Sequence, residues 1–134
     1  MNKPLKTAIT ALVLFTLGLS VQAQSSVPDA VVTATRNNDS RVLASYFNDK
    51  IELIIPGKSG VFSSAQAEQV IKNFFVSNPA GDFKIIHQGV RDNSSFAIGK
   101  YASKNGDSYR VYFLVKDSGG SILIHQLRIE TQDE

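Results

Sequence analysis

Few side chains in this 134-residue chain are of the kinds that transfer protons or hold metals. There are two histidines, His87 and His125, and no cysteine, so zinc-ligand spacings and thiolate nucleophiles are both absent. His125 lies between Ile124 and Gln126 in an apolar, strand-like stretch. An inward histidine there has the near-neutral pKa that a general base needs. A half-buried histidine with a single hydrogen bond fits the same pattern and is the commoner case; His87 divides in the same way. Tyr101, Tyr109 and Tyr112 carry hydroxyls able to polarise a carbonyl, yet strand tyrosines ordinarily pack their ring and leave the hydroxyl wet. Either Arg110 or Arg128 could hold a ligand carboxylate, with an ion pair or solvent as the plainer role.

The carboxylates sit in the wrong places for acid–base work. Asp92, Asp107 and Asp117 fall in turn signals, and Asp29, Asp39 and Asp49 at helix edges. Only Glu52 and Glu130 lie on strands, Glu52 facing solvent and Glu130 at a strand end. Glycines mark turns, and Lys58-Ser59-Gly60 lacks the rest of a phosphate loop. We therefore expect no catalytic residue, no metal and no cofactor.

Charge and the N-terminus bound the setting. Lys and Arg number 14 against 12 Asp and Glu, and the surplus is Lys3 and Lys6. These two form the positive start of an export signal, followed by the apolar Thr7–Leu19 run and the small-residue site Val21-Gln22-Ala23. The apolar run falls short of the ~20 residues that span a bilayer. Residues 1–23 are thus expected to be removed, leaving a periplasmic or secreted chain with no stable membrane anchor. Residues 24–134 then form one electrically balanced domain, with no basic stripe and no expectation of a nucleic-acid partner.

The elements that must position these side chains read as follows. Pro28 and Asp29 open a first helix through Ala30, Val31 and Ala34. Asp39 or Ser40 caps a second, whose apolar face is Val42, Leu43, Tyr46 and Phe47. Lys50–Ile55 is a strand closed by Pro56-Gly57, and Lys58–Gly60 is a loop. The best-specified helix follows. Ser63 and Gln66 fit a capping box, and Ala67, Val70, Ile71, Phe74 and Phe75 form a stripe at i, i+3, i+4, i+7 and i+8. From Phe83 to Ile129 run four strands of a meander, with turns at Asp92-Asn93-Ser94, Asn105-Gly106 and Asp117–Gly120.

A two-residue turn at Asn105-Gly106 places Phe96, Ile98, Val111, Phe113 and Val115 on the core side. Ala97, Gly99, Tyr101, Arg110 and Tyr112 then take a mixed side. For the last strand, a longer or bulged loop turns Leu123, His125, Leu127 and Ile129 to the core; a two-residue loop turns Ile124, Gln126 and Arg128 there instead. The first gives the cleaner apolar face. It leaves Ile122 and Ile124 with Tyr101, Arg110 and Tyr112 on the mixed side, an apolar patch of the kind that meets a partner. We expect a homodimer through it.

This order of elements resembles the nuclear-transport-factor-two-like superfamily of cystatin-like cones. The matching stretches are Asn38–Leu43 with Tyr46-Phe47, the Lys50–Ile55 strand with Pro56-Gly57, the Ala65–Phe75 helix and the long terminal strands. Val61–Glu68 and Gln126–Glu130 resemble, more closely, a family of small exported Bacteroidetes proteins of unknown function. The resemblance implies an α+β fold, a curved antiparallel sheet of four to five strands wrapped around two to three N-terminal helices. It implies no activity, because this fold hosts isomerases, dehydratases, transport adaptors and binding modules. Enzymes of the superfamily place an inward strand carboxylate beside an aromatic hydroxyl, and nothing here matches that residue for residue.

The functional expectation is an exported small-ligand-binding or protein-interaction domain without catalytic activity. A pocket for a small apolar ligand would be lined by Tyr46, Phe74, His87, Tyr109, His125 and Arg128. The alternative is a small isomerase or dehydratase acting on an apolar substrate in the cone cavity, with His125 and a tyrosine. A third reading is an envelope component whose concave side is filled by Phe62, Phe74 and Phe75.

Overall fold

The computed structural model describes residues 26–132; the expected export signal lies outside them. The elements are α1 (Asp29–Arg36), α2 (Ser40–Ala44), β1 (Phe47–Ile55), β2 (Lys58–Ser63), α3 (Ser64–Ser77), β3 (Ala80–Arg91), β4 (Ser94–Ser103), β5 (Ser108–Ser118) and β6 (Ser121–Thr131). The strands form one curved, unclosed sheet in the order β2-β1-β6-β5-β4-β3. All neighbours are antiparallel except β1 and β6, which run parallel. The helices share one core with the inner face of this sheet.

The sheet has six strands rather than four or five. Lys58–Ser63, expected as a loop and helix lead-in, pairs with β1 because Pro56-Gly57 makes a two-residue turn. Proline sets φ at the first turn position and Gly57 supplies a φ of 80° at the second. Phe47, assigned to a helix face, begins β1 instead, and Val42 is 41% exposed. The capping box on α3 is present in both halves, Ser63 Oγ accepting from Gln66 N at 3.2 Å and Gln66 Oε1 accepting from Ser63 N at 3.1 Å.

The β4–β5 register is shifted by one residue from the expected pairing. Tyr101 faces Tyr109, Gly99 faces Val111 and Ala97 faces Phe113. The cause is the turn. Ser103 N donates to Asp107 O at 2.8 Å and Gly106 N to Ser103 O at 3.1 Å, so the loop has three residues, with Gly106 at φ 98°. A slip of one turns every β4 side chain over. Ala97, Gly99 and Tyr101 are therefore inside with Val111, Phe113 and Val115, and Phe96 and Ile98 lie on the outer face. Gly99 is where the inner face is tightest: a Cβ there would lie 2.4 Å from the Phe83 ring.

The last strand answers to both loop readings. Gly119 and Gly120, at φ 63° and 89°, form a two-residue hairpin, so Ile122 and Ile124 point inward. A bulge then sets Leu114 opposite Gln126 and Val115 opposite Ile124, leaving His125 as the extra residue. Beyond it Leu127 and Ile129 are inside, while His125, Gln126 and Arg128 are not part of the core.

Candidate functional site

The cone interior is packed. The space among Thr35, Leu43, Ile71, Phe75, Tyr101, Val111, Phe113, Leu127 and Ile129 amounts to about 10 Å³, at the lower limit for a single water. Phe83, Tyr101 and Phe113 are fully buried beside it. A groove of about 620 Å³ lies between α3 and the β1–β2 hairpin, within the usual range for small-molecule sites.

The walls of the groove follow from helical spacing and one turn. α3 presents Gln66, Gln69, Val70, Asn73, Phe74 and Ser77 along one side, and the β1–β2 hairpin faces it with Ile55, Pro56, Gly57, Lys58 and Phe62. Asn78 and Tyr109 close the end. Phe74 and Tyr109 meet edge to face at 5.1 Å, and Tyr101 backs Phe74 at 5.8 Å. This aromatic wall separates groove from core.

Asn78 holds the wall in place. Its Oδ1 accepts from Tyr109 OH at 2.9 Å and from Asn105 Nδ2 at 3.1 Å, and its Nδ2 donates to Phe74 O at 3.1 Å. Its carbonyl accepts from Tyr101 OH, which in turn accepts from Asn38 Nδ2 at 2.9 Å. Asn38, at φ 54°, also receives Ala80 N on Oδ1 at 2.8 Å. Burial, with Asp107 nearby, raises the pKa of Tyr109; burial first, offset by the Asn38 bond and reinforced by Tyr109, raises that of Tyr101. Both phenols stay protonated with their donors already engaged.

The groove is thus lined by amides, a hydroxyl and apolar side chains, with Lys58 its one charge. No carboxylate and no histidine lines it. Among the described residues, no group of three His, Cys, Asp or Glu side chains is placed to hold a metal. The arrangement offers amide and hydroxyl hydrogen-bonding groups, the Lys58 amine and apolar surface.

Of the expected pocket residues, Phe74 and Tyr109 are in the groove. Tyr46 packs against the core before β1. His87 is exposed on the outer sheet face, where its ring lies 5.5 Å from that of Phe96. His125 sits at the β6 bulge, and Arg128 on the outer face with its guanidinium 6.0 Å from the Tyr112 ring centre. The five residues expected to share a dimer face are divided: Tyr101, Ile122 and Ile124 lie in or against the core, Arg110 and Tyr112 on the outer face. Sequence reading passed over Gln69, Asn73, Ser77 and Asn78. Their signal was a stripe of uncharged polar residues running beside the apolar stripe of α3.

The fold is that of the NTF2-like cones. A protein described as ntf2-like and of unknown function, from Shewanella baltica, superimposes with a TM-score of 0.60 at 14% identity, over 79% of this chain and 88% of its own. A protein described as ketosteroid isomerase-like, from Erwinia carotovora atroseptica, gives 0.61 at 17% identity, over 79% and 91%. The profile of the Domain of unknown function (DUF4783) family matches residues 28–130. A member of that family from Bacteroides ovatus is 37% identical, with a TM-score of 0.76 over 81% of this chain and 97% of its own. The chain belongs to the DUF4783 family. A search of curated proteins finds no match.

Proposed function

We propose that this protein is an exported, non-catalytic binding domain whose site is the groove between α3 and the β1–β2 hairpin. The ligand is uncharged, with hydrogen-bonding groups along one side and apolar surface on the other. The observation carrying this reading is the lining itself: Gln69, Asn73, Ser77 and Asn78 line the groove together with Phe62, Val70 and Phe74, with no carboxylate or histidine among them. Such a site orients a ligand through amides and gains affinity from its apolar floor. An isomerase or dehydratase needs a base within reach of its substrate, and the filled interior leaves His125 outside any enclosed space.

The test is native mass spectrometry of the protein purified from its source, beside a Val70→Trp variant that fills the groove. The expected result is a chain beginning at Gln24 that carries a small molecule, with the molecule missing from Val70→Trp. A molecule retained by the variant would place the site elsewhere. A bound species that is chemically altered on incubation would overturn the non-catalytic reading.

A further inference from the structure

The face of the sheet turned away from the helices carries an electrostatic arrangement that the fold itself does not require. Lys84 on β3 stands directly opposite Lys100 on β4, and Lys100 directly opposite Arg110 on β5. Strands lie ~4.8 Å apart, so three like charges fall in a row about 10 Å long. Like charges placed directly across neighbouring strands destabilise a sheet, and all three side chains are exposed, so neutral residues would serve the core equally well.

Compensation within the molecule is slight. Lys84 Nζ lies 3.6 Å from Asp82 Oδ2. Among the described residues neither Lys100 nor Arg110 has an ion pair; Glu130, opposite Arg110, pairs with Arg128 at 3.6 Å.

Beside this row is a shallow cleft of about 260 Å³, lined by Ile98, Arg110, Tyr112, Gln126, Arg128 and Glu130. Arg128 lies over Tyr112, and its Nε is shielded from solvent with no hydrogen-bond partner. The rest of the Arg128 side chain is partly exposed, with Nη1 3.6 Å from Glu130. Arg110 beside it, with no ion pair among the described residues, has a guanidinium able to take a carboxylate through paired N–H groups.

We propose that this outer face is a docking site for an extended acidic segment of a partner protein. One carboxylate enters between Arg110 and Arg128, with its hydrocarbon against Ile98 and Tyr112, and a second lies over Lys100 and Lys84. The cleft is smaller than the ~300 Å³ at which small-molecule sites begin, and Lys100 and Lys84 continue the row of cations beyond it. Both features call for a ligand with spaced charges on one chain. A second copy laid face to face would bring the same excess of cations against itself.

The experiment is calorimetric titration with a capped peptide of alternating Glu and Leu, against its Gln–Leu analogue, free glutarate and dextran sulfate. The Glu–Leu peptide is expected to bind at about 0.01 M salt and to weaken at least tenfold by about 0.15 M as screening shortens. The Gln–Leu peptide is expected to bind at least tenfold more weakly. Combined Arg110→Ala and Arg128→Ala should cost at least tenfold, and so should Lys100→Ala with Arg110→Ala, which leaves the Tyr112–Arg128 packing intact. Lys72→Ala, at an exposed position of α3 outside both the groove and this face, should leave peptide binding unchanged. Equal binding of both peptides, or undiminished binding by both double variants, overturns the proposal. Glutarate binding as tightly as the peptide would make this a small-acid site, and tighter binding of dextran sulfate a polyanion surface; each overturns it. A dimer in sedimentation that the double variants dissolve would seat a second copy here and overturn it as well.

Discussion

A single amide, Asn78, does at the residue scale what the groove depends on: it fixes Tyr109 and, through its carbonyl, Tyr101, so the aromatic wall cannot swing inward. On the opposite side of the sheet, His125 is the residue whose environment is most readable in solution. Desolvation, and then Lys116, push its pKa below the ordinary 6.5, and its Nε2 is enclosed without a hydrogen-bond partner. The unfolded chain takes up a proton at His125 as pH falls through 6.5, and the native state takes it up only at lower pH. Stability contributed by neutral His125 is therefore complete above that value and lost below it. Urea unfolding across this range should show wild type losing more stability than His125→Gln below pH 6.5. Parallel curves for the two proteins would contradict this account of the bulge.

At the scale of elements, local chemistry and long-range pairing divide cleanly. The capping box was legible because Ser63 and Gln66 act on backbone groups within one turn of helix. Its contribution is measurable: Ser63→Ala should cost about 1 kcal/mol in chemical denaturation, with the midpoint shifting and the slope unchanged. The strands were legible as strands, since Gly119-Gly120 and alternating apolar residues announce them. Which face each strand turned inward was not. One extra loop residue at Asn105-Gly106 reverses β4, and a bulge at His125 reverses half of β6. Alternation gave two self-consistent answers for β6, and the structure uses the two-residue-loop answer up to Ile124 and the bulged-loop answer from Leu127. β2 was hidden for a related reason: its pattern of exposure is that of an edge strand with only β1 beside it.

For the molecule as a whole, the decisive fact is that the cone is filled. Phe83, Tyr101 and Phe113 meet at tilted and edge-to-face angles across the interior, and the groove proposed as the binding site lies outside it. Phe113→Ala should lower stability by about 3–5 kcal/mol, a large share of the ~5–15 kcal/mol available to a domain, as read by thermal unfolding. The same variant should gain affinity for small apolar probes such as benzene, which an engineered apolar cavity admits. An unchanged melting temperature would mean the core is not continuous through Phe113.

Turn residues and helical spacing were enough to read the strongly specified α3 and the terminal meander. These follow from interactions a few residues long. The assignment of faces, the sixth strand, the filled hollow and the groove beside α3 came from tertiary structure alone. Each depends on pairings between segments far apart in the chain, where a shift of one residue costs little locally yet exchanges inside for outside along a whole strand.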